Sequence, residues 1–115
     1  MKTLEDIRAR SAAFAAERDW QAYQTPKNLA MALSVEVTEL LEHFQWLTAE
    51  QSRALDDRAL EAVSNEIADV QLYLVRLADE LQVDILEAVN RKVELNAKKY
   101  PVERVRGSAK KYSDY

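Results

Sequence analysis

One glycine and two prolines serve the whole of this 115-residue chain. So few backbone breakers argue against the many tight turns of a β-sandwich or barrel. Alanine, leucine, glutamate and arginine abound instead, and all are good helix formers. The chain is therefore expected to be all-α, with long helices and short connections.

The helix boundaries follow from local chemistry. Thr3 can cap a first helix, with Glu5 and Asp6 in its first turn and Leu4, Ile7 and Phe14 carrying it to about Arg18. Asp19 to Gln24 read as a connector holding Trp20 and Tyr23. Thr25-Pro26 starts a second helix, expected to reach about Gln45, with the apolar stripe Leu29, Leu33, Val37, Leu40, Leu41 and Phe44. Thr48-Ala49-Glu50-Gln51 has the spacing of a capping box, so a short helical turn is expected before a polar loop over 52–58.

A third helix is expected from about Ala59 to Leu81, with the stripe Val63, Ile67, Val70, Leu74, Leu77 and Leu81. Leu72 and Val75 fall on its other side, a second apolar patch that points to a subunit contact. Asp84 caps a fourth helix that Pro101 stops after Lys99. The tail from about residue 102 carries Arg104, Arg106, Lys110 and Lys111 with the sole glycine, Gly107, and reads as irregular and basic.

Composition narrows the class of function. At 48% hydrophobic and 31% charged residues, the chain reads as one soluble globular domain, residues 1–115. A net charge of −4 argues against a duplex nucleic-acid binder. The lack of cysteine removes disulfides, thiolate metal sites and cysteine nucleophiles. No signal region and no membrane-length apolar run is read, which fits a cytoplasmic protein.

The chemistry is expected at paired carboxylates. Four acidic pairs are spaced three apart: Glu36/Glu39, Glu39/Glu42, Glu66/Asp69 and Asp84/Glu87. The last has a capping role, and Glu42 lies on the outer face of its helix. In the other two pairs the side chains share a face, with Cβ atoms about 5–6 Å apart. Placing residues 100° apart sets Glu36, Glu39 and His43 along one edge of the second stripe, and Glu66, Asp69 and Tyr73 along one edge of the third. Like charges beside an apolar stripe need compensation. A hard cation is one source, with Mg²⁺ the usual ion for a cluster of carboxylates. Salt bridges from Arg76, Lys92 or Lys99 are the other.

Trp20, Trp46 and Tyr73 lie at or near helix ends close to the acidic pairs, where a stacked base would need walls. By themselves they read as core or interface residues rather than ligand contacts, and their place near the acidic pairs is what favours a binding role. Lys92, Asn96 and Lys99 share a face of the fourth helix, a solvated face unless it meets phosphate.

Glu36-x-x-Glu39, a gap of 26 residues, then Glu66-x-x-Asp69 resembles the signature of the MazG-related, all-α nucleoside triphosphate pyrophosphohydrolases. The likeness extends through Pro26-Lys27-Asn28-Leu29, Phe44-Gln45-Trp46, Asp69-Val70-Gln71-Leu72-Tyr73-Leu74, Asn96-Ala97-Lys98-Lys99-Tyr100-Pro101 and Arg106-Gly107-Ser108-Ala109-Lys110-Lys111-Tyr112, which look like the dCTP pyrophosphatase branch. It implies a four-helix unit completed by oligomerisation, as a dimer or a tetramer. It also implies Mg²⁺-dependent hydrolysis of a nucleoside triphosphate, dCTP or a modified dCTP, to the monophosphate and pyrophosphate, in nucleotide-pool house-cleaning. Carried over, Glu36, Glu39, Glu66 and Asp69 would be metal ligands and catalytic residues. Trp46 and Tyr73 would line the base and sugar pocket, with Trp20 and Asn28 near it, and Lys92, Asn96 and Lys99 would hold phosphate or sugar oxygens. Gln24 departs from the pattern: relatives of this branch can carry His there, near the base, which leaves base preference open.

The residue chemistry agrees with this. Four carboxylates would repel a triphosphate, and Mg²⁺ would invert that repulsion, with one carboxylate as general base. Two rivals stand beside it: a dUTPase of the same superfamily, and a non-catalytic helical regulatory protein. A di-iron bundle would need Glu-x-x-His pairs, and the sole histidine, His43, is four residues after Glu39.

Overall fold

The computed structural model describes residues 1–109. Among them every regular element is a helix. Residues 1–83 make one compact unit and the chain from residue 84 another.

In the first unit, α1 spans Leu4–Glu17 and opens with a reciprocal capping box. The Asp6 amide donates to Thr3 Oγ1 at 3.1 Å, and the Thr3 amide donates to Asp6 Oδ2 at 3.2 Å. The helix closes in a Schellman motif. Asp19 takes the left-handed conformation (φ 53°), its amide bonds Ala16 O at 3.2 Å, and the Trp20 amide reaches Ala15 O at 3.0 Å. That closure delivers Trp20 onto the side of α1, where its ring meets Phe14 edge-on at 5.8 Å. A 3₁₀ turn, Gln21–Tyr23, leads to α2, Pro26–Glu42, capped by Thr25 with Pro26 at its first position. The second helix ends three residues short of the expected Gln45, and His43 to Trp46 continue as turns.

The one-turn helix expected at the Thr48 capping box is α3, Ala49–Ser52. The long helix α4, Asp57–Glu80, starts two residues earlier than expected because Asp56 caps it, accepting from the Ala59 amide at 2.8 Å. It too ends in a Schellman motif, with Gln82 left-handed at φ 55° and the Val83 amide on Ala78 O at 2.8 Å.

Both α2 and α1 pack on α4. The buried core is Ala15, Leu29, Val63, Val75 and Ala78, with Arg76 among them. This corrects the expected stripes. On α2, Leu29, Leu33 and Leu40 turn inward, as does Phe44 in the turn that follows, but Val37 and Leu41 are exposed. On α4, Val63, Val70 and Leu77 turn inward, while Ile67, Leu74 and Leu81, with Leu60, form a line of side chains at seven-residue spacing that is 41–55% exposed. The helices are rotated so that carboxylates, rather than these aliphatic side chains, enter the α2–α4 seam. Val75 is also corrected: it is 2% exposed and belongs to the core, because α1 packs on α4, whereas Leu72 keeps 42% exposure.

In the second unit, α5 spans Ile85–Lys99, with Asp84 Oδ1 accepting from the Glu87 amide at 2.9 Å. Lys92, Asn96 and Lys99 are exposed along one of its faces. The tail is not wholly irregular: Pro101 starts a further turn, α6, Val102–Val105, whose Arg104 amide reaches Pro101 O at 2.9 Å. Gly107 follows in the left-handed region at φ 78°. Lys110 and Lys111 lie outside the described residues.

Candidate functional site

On α2, the three-residue spacing of Glu36 and Glu39 aims both carboxylates into the α2–α4 seam, and from α4 Glu66 meets them. One carboxylate oxygen from each of these three residues lies within 4.8 Å of the others. All three side chains are half-buried. Glu36 Oε2 and Glu66 Oε2 are shielded from solvent and have no hydrogen-bond partner.

Asp69 does not join this triangle. Aspartate is one methylene shorter than glutamate, and the Asp69 side chain is more exposed. It lies one turn along α4, close enough for its charge to act on Glu36. His43, expected on the same edge, is exposed.

The ionisation of the cluster follows. Burial comes first, then the adjacent Glu39 and Glu66 carboxyls, then the negative charges of Glu39 and Asp69; together they push Glu36 up to about 7. The cluster thus holds a proton where an ordinary glutamate would have lost one. Two unit charges about 4 Å apart repel by about 4 kcal/mol at an effective dielectric of 20. A protonated Glu36 or a hard cation relieves that repulsion, and the buried, partnerless oxygens on opposite helices suit the oxygen coordination of such a cation.

The salt-bridge alternative fails at Arg76. This guanidinium, 6% exposed, donates through Nε to Gln24 Oε1 at 2.9 Å, through Nη1 to Asp79 Oδ2 at 3.0 Å and through Nη2 to Glu80 Oε1 at 2.6 Å. Among the described residues no ion pair reaches Glu36, Glu39, Glu66 or Asp69.

Asp69 opens onto a cavity of about 420 Å³ between α1 and α4. Phe14, Trp20 and Tyr73 supply aromatic walls, and Arg10, Gln24 and Arg76 supply polar groups. A flat aromatic ring with polar edges fits such a lining. The structure therefore gathers Glu36, Glu39 and Glu66, sets Asp69 between them and the cavity, and brings Trp20 and Tyr73 into its wall. Asn28 is exposed, with Nδ2 donating to Tyr23 O at 3.0 Å, and Trp46 is 88% exposed; neither lines the cavity.

Phe14, Arg10 and Arg76 were not singled out as site residues from the sequence. Phe14 counted only as an apolar position of α1. Arg76 carried a signal in a lone cation beside the apolar positions Val75 and Leu77 of α4.

The MazG-like family model matches residues 31–115. The chain is 47% identical to dCTP pyrophosphatase 1 of Bos taurus over 114 residues, 97% of this chain and 68% of that protein. It is 44% identical to dCTP pyrophosphatase 1 of Homo sapiens over 114 residues, 97% of this chain and 67% of that protein. Among solved structures it resembles a pyrophosphatase of Archaeoglobus fulgidus DSM 4304, with a TM-score of 0.80 and 43% identity, covering 84% of this chain and 91% of that one.

Proposed function

Since the chain belongs to the MazG-like family, we propose that it is a nucleotide-pool enzyme that hydrolyses dCTP to dCMP and pyrophosphate. The observation that carries this reading is the carboxylate cluster with two buried, partnerless oxygens beside an aromatic-walled cavity. The names of its relatives supply the nucleotide.

Mg²⁺ is the proposed cofactor. Glu36, Glu39 and Glu66 would hold it, with Asp69 completing the set. When bound, a divalent cation neutralises phosphate charge and polarises phosphate oxygens.

The chain's own residues do the remaining work. Trp20 and Tyr73, with Phe14, flank the base and fix where the triphosphate tail leaves the cavity. Asp69 stands at that exit. A carboxylate of the cluster takes the proton of the attacking water. Attack at the α-phosphorus breaks the bond to the bridging oxygen, and pyrophosphate leaves. Lys92, Asn96 and Lys99 are proposed to hold phosphate or sugar oxygens, and Trp46 and Asn28 to act near the base, on the family likeness alone.

The exposed line Leu60, Ile67, Leu74 and Leu81 supports a homo-oligomer, a dimer or tetramer in which a second copy covers this stripe. No helix among the described residues is long and apolar enough to cross a membrane. The proposed setting is the cytoplasm, with residues 1–115 acting as one catalytic domain.

The test is a panel assay: purified protein, Mg²⁺ and each common or modified (d)NTP, with pyrophosphate and orthophosphate measured separately. Pyrophosphate and dCMP from dCTP support the reading. Pyrophosphate from dUTP alone makes the chain a dUTPase, and no product from any nucleotide, in a folded protein, makes it a binding protein.

A further inference from the structure

We infer that Arg76 fixes the polarity of the Gln24 side-chain amide, so that Gln24 presents an N–H donor to the base edge and selects cytosine over uracil. This deepens the nucleotide reading above and rests on it.

Gln24 closes the 3₁₀ turn and precedes Thr25, the cap of α2. It lines the cavity together with Trp20, Tyr73 and Arg76. An amide can in principle face a neighbour with either its oxygen or its nitrogen. Here the neighbour decides. A guanidinium has N–H donors and no acceptor, so Gln24 must face Arg76 with its oxygen, as the 2.9 Å bond from Nε to Oε1 records. What Gln24 then has left for the cavity is its –NH₂ group.

Arg76 is not free to give way. Its other two nitrogens are held by Asp79 at 3.0 Å and Glu80 at 2.6 Å, and Asp79 is also reached by Arg8 at 3.4 Å. Moving the guanidinium would leave both carboxylates without it. The buried arginine is thus a positioning residue. It acts on the substrate through the orientation it imposes on Gln24.

Set against N3 of the base, a donor of fixed polarity discriminates pyrimidines. The pairing edge of cytosine presents acceptors at N3 and O2. Uracil and thymine carry a hydrogen on N3, so the same position offers a donor. Donor against acceptor makes a bond, and donor against donor leaves both groups unpaired.

The test measures kcat/KM for dCTP and dUTP with the wild type, Gln24→Glu and Arg76→Gln. Glutamate keeps the size of Gln24 and keeps an oxygen for Arg76, but turns an acceptor toward the base. The ratio of the two substrates in one preparation cancels the fraction of folded protein, so partial unfolding of the Arg76 variant does not obscure it. The expected result is a wild type favouring dCTP and a dCTP-to-dUTP ratio at least about 30-fold lower in Gln24→Glu. Arg76→Gln, whose amide can donate or accept, should lower the ratio by a smaller factor, about 5-fold, mainly through a higher KM for dCTP. A wild type that cleaves dCTP while Gln24→Glu keeps its ratio within about 2-fold overturns this inference alone, as does a wild type indifferent to the two bases. Failure of the wild type to cleave any nucleotide overturns the reading on which it rests, and the inference with it.

Discussion

Glu36 and Glu66 stand on different helices, α2 and α4, and each keeps its Oε2 buried without a hydrogen-bond partner. Their carboxylates, with that of Glu39, converge to within 4.8 Å. A helix pair optimised only for stability would have filled this seam with aliphatic side chains, because buried unpaired carboxylates cost more than they return. Such side chains are at hand on the same helices, at Val37, Leu41, Ile67 and Leu74, and they are exposed instead. The rotation that places acid inside and aliphatic outside makes sense for a pair of helices that hold a cation between them.

Glu39→Ala removes one corner of the triangle while leaving Glu36 and Glu66 on their helices. Hydrolysis should fall by at least about 100-fold, since even the outer-shell partners of metal ligands cost up to about that much when lost. The helical circular dichroism should be unchanged, since alanine is the best helix former. A steady-state assay over a range of Mg²⁺ checks this. Retained activity would reject the cluster as the metal site.

The raised pKa of Glu36 fixes the sign of a pH effect. Its folded value, about 7, exceeds the ordinary glutamate value of 4.5, so between those values the folded state binds more protons than the unfolded one. Without divalent cation, the stability that Glu36 contributes is fully present below about pH 4.5 and is lost as pH rises through about 7. Millimolar Mg²⁺ should reverse the trend, because the ion binds the ionised cluster and stabilises only the folded chain. The check is a set of thermal melts from about pH 5 to about pH 8, with Mg²⁺ or with EDTA, on the wild type and Glu36→Gln. In EDTA the two proteins should melt at similar temperatures at the acid end, and the variant should become increasingly the more stable of the two as pH rises. Mg²⁺ should raise the wild-type melting temperature most at the alkaline end. Lack of any Mg²⁺ shift would count against a preformed site.

These features differ in how far they can be read from residue order. Helix starts were legible at Thr3, Thr25, Thr48 and Asp84, because a cap is a contact with an amide three residues on. The two carboxylate pairs were legible for the same reason. The inward face was not. Periodicity locates an apolar stripe, but not whether the same chain or another copy covers it, so Ile67 and Leu74 read as core while Val75 read as surface. Convergence of three acids rather than four depends on side-chain reach across the helix seam. The bond from Arg76 to Gln24 spans 52 positions and has no local signature.

Leu74→Glu tests what covers the exposed stripe. The residue is 41% exposed on the single chain, and a substitution at such a surface position usually changes stability by less than about 0.5 kcal/mol. If a second copy covers Leu60, Ile67, Leu74 and Leu81, a charge placed among them is buried unpaired on assembly, at a cost of several kcal/mol. Light scattering coupled to gel filtration should then show the wild type as an oligomer and the variant shifted to smaller species. An unchanged mass in the variant would move the subunit contact to another face.

Gln82→Gly isolates a local cost. Gln82 ends α4 with φ at 55°, and its amide bonds Asp79 O at 3.0 Å while the Val83 amide bonds Ala78 O at 2.8 Å. This closure needs a left-handed residue. Glycine adopts that conformation freely, whereas a residue with a Cβ pays about 1 kcal/mol for it. The glycine also loses more entropy on folding, which offsets part of the gain. The net expectation is a stabilisation of about 0.5 kcal/mol, seen as a rise of a few degrees in melting temperature with kcat/KM unchanged. A fall in melting temperature would mean that the glutamine side chain stabilises the end of α4 by more than its backbone strain costs.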